Sequence, residues 1–501
     1  MTTHVLCEKR EMAGPVLLLA PTGFVVRTLL LQGLAANIAK VHKVVAAVPD
    51  PNDPLLQKIL DVKNMTLIRH PRKFSSLGRI DGLHVRLWQQ SYMSFSGRAS
   101  IEFMQSYHKK KIRQSILVAC MSAMALGSKR ATRWIEKIYL RRLRRSENYA
   151  IWRTILEEVK PSMIISGMLS WGGPNAHSED LACVVAAGDM GIPCTTVIQS
   201  WDNPYLKASI FPDHLIRIWT WSDAMTDLMK YRQPNLDATV YQSVGALQME
   251  FHGDRRLHGM REEALYELKL RDNDRYIVYG GTTEVGFPQE PQLFFHVFTI
   301  MRRILPLHRM VLRLHPKDQM TRWMPMLEQL RDDRIVVQRP GPEKHMDEGG
   351  LQDPFVFYGN QLRTLAHADA VVSSFTTLLV DAAVINKPAV CVTAITDVDE
   401  DRLNEELHAL SCLPHIVPLL ATKGVKVCRS LDEIALALKA YVEDPALDSD
   451  KRASLACLMH KPDSSPSRTI ADDVLLILAN AEIRFNARTP LCSQTALPLL
   501  G

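Results

Sequence analysis

Residues 368 to 390 read ADAVVSSFTTLLVDAAVINKPAV, and the order of residue types in this stretch decides the fold. Ala370-Val371-Val372 is short and β-branched, as a buried strand is, and the apolar residues from Phe375 to Ile385 fall at helical spacing. Ser373 and Ser374 stand at the junction. A helix start leaves N–H groups unpaired and carries a partial positive charge, so hydroxyls there either cap the helix or help it hold an anion. The remainder of the chain has to decide between the two.

The same strand-to-helix rhythm recurs on both sides of this stretch. PVLLLAPTGFVVRTLLLQGLAANIAK opens the chain as a strand (16 to 20), a turn and a helix to about Lys40, and VHKVVAAVP follows as a second strand. It resumes with PSMIISG (161 to 167), PCTTVIQ (193 to 199), HLIRIWTW (214 to 221) and ATVYQSVG (238 to 245). A second unit restarts with YIVYGG (276 to 281) and continues through MVLRLHP (310 to 316), RIVVQRP (334 to 340), ADAVVSS and KPAVCVTA (387 to 394). Such alternation gives parallel sheets with helices on both faces. The expectation is an α/β protein of two Rossmann-like doubly wound parallel-sheet domains facing across a cleft. The first spans 1–250, with a basic helical insertion at about 70–150, the second 251–485, and 486–501 is a tail. Helices at 430–443 and 467–484 are expected to close the second domain.

Composition narrows the function. The hydrophobic fraction of 47% suits a globular protein, and nine cysteines scattered singly, without a C-x-x-C pair, fit a reducing compartment and no structural zinc. The first residues, MTTHVLCEKREM, are polar and charged, so no secretory signal is expected. The longest apolar run, SILVACMSAMALGS (115 to 128), has 14 residues, too few to span a bilayer. A cytoplasmic protein is expected. The net charge of +6 is unevenly spread: Met65 to Ala150 holds 18 Lys and Arg against 4 Asp and Glu, leaving −8 on the remainder. That segment, with HKKKIR, SKRATRW and YLRRLRRS, is either a solvated helical face or a surface that lies on anionic lipid or grips polyanions. No nucleic-acid motif accompanies it, and nucleic acid is not an expected partner.

In open parallel sheets ligands bind beyond the carboxyl ends of the strands. Dinucleotide and P-loop glycine fingerprints are missing after either first strand. Four strand ends or helix starts of the second unit nevertheless carry groups suited to one anionic ligand: Gly280-Gly281-Thr282-Thr283, His315-Pro316-Lys317-Asp318, Gly359-Asn360, and Ser373-Ser374 with Thr376-Thr377. A glycine pair lets a backbone approach phosphate, and His315 and Lys317 add donors and positive charge. Asp381 lies seven residues beyond Ser374, two helical turns on and on the same face. Its carboxylate either accepts the hydroxyls of a ribose or pairs with a neighbouring base. Together these groups suit a nucleotide-diphosphate compound. No metal site and no cofactor is expected.

ADAVVSSFTTLLVDAAVINKPAV resembles the donor-binding segment of GT-B glycosyltransferases, in its strand–Ser–helix–acid–(G/N)KP order. It is most similar to that of bacterial capsule and surface-polysaccharide transferases, which themselves resemble CDP-glycerol glycerophosphotransferases. RLHPKD (313 to 318), GIPCTTVIQSWDNPYLKA (191 to 208) and YQSVGALQMEFH (241 to 252) resemble further segments of that group, with Val244-Gly245 in place of Thr-Gly. The resemblance covers about residues 160 to 395 and the opening strand and helix, but not the basic insertion. It implies metal-independent glycosyl transfer from a nucleotide sugar, the donor in the second domain and a glycan or lipid-linked acceptor in the first. Donor contacts would come from Gly281, Thr282, His315, Lys317, Ser373, Ser374, Thr376 and Asp381. The serine pair lacks the flanking glycines that many GT-B enzymes carry. Inversion would need a base from the first domain, for which His177, Glu179 and Asp180 in SWGGPNAHSED and Asp202 in QSWDN are the candidates. His177 could equally cap a helix, and Asp202 could equally shape a turn. His4, His252 and His345 are expected to be structural. Polyol-phosphate transfer from a CDP-alcohol, nucleotide-sugar 2-epimerisation and non-catalytic scaffolding remain as alternatives.

Overall fold

The computed structural model describes residues 14–59, 64–71, 129–169, 180–206, 209–233, 235–284, 286–316, 318, 320–339, 354–461 and 464–488. His4, the basic stretch 72–128 with its apolar run, His177, Glu179, Lys317, His345 and the chain end from 489 lie outside the described residues.

The first sheet contains β1 (Val16–Leu19), β2 (Val44–Val48), β3 (Met65–Arg69), β4 (Met163–Ser166), β5 (Cys194–Val197), β6 (Leu215–Thr220) and β7 (Tyr241–Ser243), in the order 3-2-1-4-5-6-7. The second contains β8 (Arg275–Gly280), β9 (His308–Arg313), β10 (Ile335–Gln338), β11 (Ala370–Ser373), β12 (Ala389–Val392) and β13 (Lys426–Cys428), in the order 10-9-8-11-12-13. Every pairing is parallel. Helices cover both faces of such sheets, so the central strands are mostly apolar: every residue of β1, β4, β11 and β12 is buried, and only Ser166 and Ser373 among them are polar. Two strands absent from the sequence reading, β3 and β13, are edge strands with exposed positions, and there the apolar signal fades.

Each sheet starts in its middle, winds to one edge, then returns to fill the other side. The reversal places a switch point between β1 and β4 in the first sheet and between β8 and β11 in the second. At the first switch point Gly167 follows β4, and a Cβ there would lie 2.2 Å from Val25 Cγ1 and 3.0 Å from the Leu19 carbonyl. No larger residue fits this close approach without displacing the β1 loop.

The helices that bear on the site are α1 (Leu34–Ala39), α2 (Lys129–Leu143), α3 (Glu147–Val159), α4 (Leu181–Asp189), α5 (Glu290–Ile304), α6 (Pro354–His367), α7 (Leu378–Val384) and α8 (Pro466–Arg488). Helix α8 was expected to close the second domain, yet it packs on the first. Ile470, Ala471, Val474 and Leu478 join a core with Val16, Leu18, Leu34 and Ile38, and Asp473 accepts from Trp219 Nε1 at 2.8 Å while pairing with Arg217 at 2.8 Å. The two domains also meet where the Arg27 guanidinium, 4.1 Å from the Phe357 ring centroid and 5.2 Å from that of Tyr358, is buried against α6. A desolvated cation over an aromatic face is worth about 2 kcal/mol.

Candidate functional site

At the second switch point the loops after β8 and β11 touch. Ser373 Oγ donates to the Gly280 carbonyl at 2.6 Å and lies 3.2 Å from Thr376 Oγ1. The helix does not begin at Phe375 as its apolar spacing suggests. Phe375 packs on the core from a turn, and α7 starts at Leu378 after Thr377. Residues Ser374 to Thr377 are therefore a turn between strand and helix, and with only seven residues in α7 a helix dipole adds little. Among the described residues none accepts a hydrogen bond from the backbone N–H of Phe375, Thr376 or Thr377. Phe375 and Thr376 are half-buried and Thr377 is exposed. Ser374 Oγ is fully buried and has no hydrogen-bond partner among the described residues. Successive N–H groups without an acceptor in the fold are what an anion-binding concavity is built from.

Both glycines are closely packed. A Cβ on Gly280 would lie 2.6 Å from Leu378 Cδ2, and one on Gly281 would lie 3.2 Å from the Arg313 carbonyl. Thr282 is also engaged. Its amide donates to Glu290 Oε1 and Oε2 at 3.0 and 2.9 Å, and its hydroxyl to Oε2 at 2.8 Å. Glu290, at the start of α5, is completely buried and pairs with Arg322 at 2.7 Å, which also pairs with Asp318 at 2.6 Å. Burial pushes the Glu290 carboxyl up to about 7 against the opposing pull of Arg322 and Thr282. The loop after β8 thus already holds an anion, and that anion belongs to the protein. His315, two residues past β9, is half-buried, and its carbonyl accepts from the Asp318 amide at 2.9 Å.

Asp381 is 8% exposed, and both its oxygens are bonded: Oδ1 to His252 Nε2 and Oδ2 to Gln361 Nε2, each at 2.8 Å. The alternative of a paired acid is the one the structure displays. His252, expected to be merely structural, is its partner, brought in by the segment that joins the two domains. Arg313 lies close enough to feel the Asp381 charge. Burial lowers its guanidinium to about 10, Asp381 opposing, and its Nη1 donates to Gln338 at 2.6 Å and Asn360 at 2.9 Å. Arg313, His252, Gln361 and Glu290 were all missed as site residues. Arg313 alone had a signal, as the first residue of the R-x-H-P strand end.

In the first domain Asp180 is fully buried. It accepts from Ser166 Oγ at 2.7 Å and Met168 N at 2.9 Å, with His70 Nε2 at 3.5 Å. It pins the loop after β4, and no exposed surface is left for an acceptor. Asp202 is only half-buried, with Ser200 Oγ donating to its Oδ1. Its neighbour Trp201 packs 4.8 Å, centroid to centroid, from His415 of the second domain. Burial pulls that imidazole down to about 4, the Asp202 charge opposing. Asp202 is therefore at the junction of the domains. Among the described residues no group of three or more His, Cys, Asp or Glu could hold a metal ion.

No protein-family model matches the sequence, and no curated protein matches it. Among solved structures the chain is similar to UDP-GlcNAc 2-epimerase from Methanocaldococcus jannaschii, with 9% identity over 92% of this chain and 99% of that one, and a TM-score of 0.50. It is similar also to a second UDP-N-acetylglucosamine 2-epimerase, with 10% identity over 97% of this chain and 100% of that one, and a TM-score of 0.50. At such identities the likeness establishes the fold: two Rossmann-like domains in the GT-B arrangement.

Proposed function

We propose that the chain is a glycosyltransferase that holds a nucleotide sugar at the second switch point and moves its sugar to a glycan or lipid-linked acceptor in surface-polysaccharide biosynthesis. The observation that carries this is the turn after β11, where no described residue accepts from the amides of Phe375, Thr376 and Thr377. Placed at the topological switch, where open α/β sheets take ligands, they would clasp the diphosphate and stabilise the charge that grows on it as the sugar departs. Gly281, Thr282, Ser373 and Asp381 would hold the shape of this turn and its neighbour, with His315 and Lys317 following β9, the strand beside β8, along the chain. Asp202, at the domain junction, is the described acid best placed to deprotonate an acceptor hydroxyl.

A second reading, nucleotide-sugar 2-epimerisation, is favoured by the likeness over nearly the whole chain to two UDP-GlcNAc 2-epimerases. It needs no acceptor, and this separates the two. The purified protein would be incubated with a panel of nucleotide sugars and CDP-alcohols, with and without membrane glycolipid extract. Transfer predicts acceptor-dependent release of nucleotide with a glycosylated product. A changed sugar in the donor alone would establish epimerisation, and CMP release with a phosphorylated acceptor would establish polyol-phosphate transfer. Silence across the panel, with no nucleoside diphosphate bound, would overturn the nucleotide-sugar reading itself.

A further inference from the structure

Helix α2 has an outer face that the donor site does not use. Its inner face is set by Ile135, Tyr139 and Leu143, four residues apart and all buried against the first domain. Opposite them Arg130, Trp134, Lys137 and Arg141 recur at intervals of four, three and four, which aligns them in one stripe. All four are exposed, Trp134 by 66%. Arg145, exposed as well, follows one turn beyond. Arg133 and Arg144 fasten the helix to the domain through Asp213 at 2.6 Å and Asp189 at 2.7 Å, so the orientation of the stripe is fixed by the fold. From Lys129 to Arg145 the chain has eight Lys and Arg against one Glu.

We infer that this stripe docks the protein on an anionic lipid bilayer, with Trp134 in the headgroup layer and Arg130, Lys137 and Arg141 on lipid phosphates. An exposed indole flanked by cations at helical spacing is what a membrane interface takes up, since the ring is apolar with one polar edge and the long basic side chains reach upward to headgroups. The charge along the sequence agrees: Met65 to Ala150 carries +14 and the remainder −8, and α2 lies within the positive part. Among the described residues no helix is long and apolar enough to cross a membrane, so the contact made by α2 is peripheral.

The test is flotation of the full chain with vesicles of phosphatidylcholine alone or with 30% phosphatidylglycerol, the composition being our choice of about one anionic lipid in three. Binding is expected only with phosphatidylglycerol, and is expected to weaken as salt shortens the Debye length. A variant carrying R130Q, K137Q and R141Q should bind on the order of 100-fold more weakly, at roughly fivefold per cation removed, and W134A should lose part of the affinity at every salt concentration. All four side chains are exposed, so melting temperature and nucleotide affinity should stay as in the parent and serve as folding controls. Equal binding to both vesicles, unchanged binding by the triple variant, or preference for a DNA duplex over vesicles would each overturn the inference. None of these outcomes bears on the donor site, whose own test is separate.

Discussion

Replacing Thr377 by proline removes one N–H from the turn after β11 while leaving its path intact. Thr377 has φ −59° and ψ −18°, within the range a pyrrolidine ring imposes, and it immediately precedes α7, where proline is tolerated. Its carbonyl still accepts from Val380 N and Asp381 N, each at 2.9 Å. The side chain is exposed, so the loss of folding stability should stay below about 1 kcal/mol. A hydrogen bond to a charged phosphate oxygen is worth about 1.5–3 kcal/mol, which converts to a roughly 10- to 150-fold rise in Kd. The assay is titration calorimetry with the nucleoside diphosphate that binds tightest among UDP, CDP, GDP and ADP, alongside its phosphate-free nucleoside. T377A keeps the amide and should bind within about twofold of the parent, since only a neutral hydroxyl is lost. An unchanged Kd for the diphosphate in T377P, or an equal loss for the nucleoside, would refute phosphate seating at this turn.

The acid pair of the first domain should separate by readout. D180A should cost about 2–3 kcal/mol in urea unfolding by removing the oxygen that accepts from Ser166 and Met168, whereas D202N should leave stability intact and lower kcat by about 10²- to 10⁴-fold at constant donor affinity. Equal kcat in D202N and the parent would remove Asp202 as the base. D381N and H252Q share one buried hydrogen bond of 2.8 Å, so their double-mutant cycle should show a coupling of about 0.5–3 kcal/mol in unfolding free energy, and additivity would contradict the pairing. Glu290 predicts a pH slope. Its carboxyl is raised from 4.5 to about 7, so the native state retains a proton that the unfolded chain has lost between those values. The stability it contributes is therefore greatest below pH 4.5 and falls by roughly 3 kcal/mol as pH rises to 7, then levels off. The difference between the parent and E290Q, measured from pH 4.5 to 7.5, should follow that fall, and a flat difference would show that Glu290 is not so perturbed.

What the sequence disclosed follows from burial. Central parallel strands are apolar on both faces, so VLLL at 16–19 and AVVS at 370–373 stand out as short runs between helical patterns. The βαβ alternation then implies the switch points and the edge where ligands bind. The edge strands MTLIR and KVC lack that double burial and gave no comparable signal. Helix α8 misled for another reason: its apolar face is the same whichever domain covers it, and only Trp219 and Arg217 reaching Asp473 decide which one does. Nor does local pattern foretell the His252 to Asp381 bond, whose partners are 129 residues apart.

The sequence offers the loops after β8 and β11 as two of four groups suited to one anionic ligand, and the structure makes these two unequal. The loop after β8 spends its Thr282 amide on Glu290, and a phosphate brought there would face a buried carboxylate that is increasingly ionised above pH 7. The turn after β11 has three amides without such an occupant, while Ser373 keeps it joined to Gly280. For the proposed donor, repulsion on one side and donors on the other would press a diphosphate toward Phe375 to Thr377, and Glu290 would then act on ligand placement although it is buried. E290Q, which removes the repulsion while keeping the shape, should accordingly leave diphosphate binding intact at pH 6, where the parent's carboxyl is mostly protonated, and improve it relative to the parent at pH 8. An affinity ratio between the two proteins that is the same at both pH values would mean that the buried carboxylate has no part in orienting the donor.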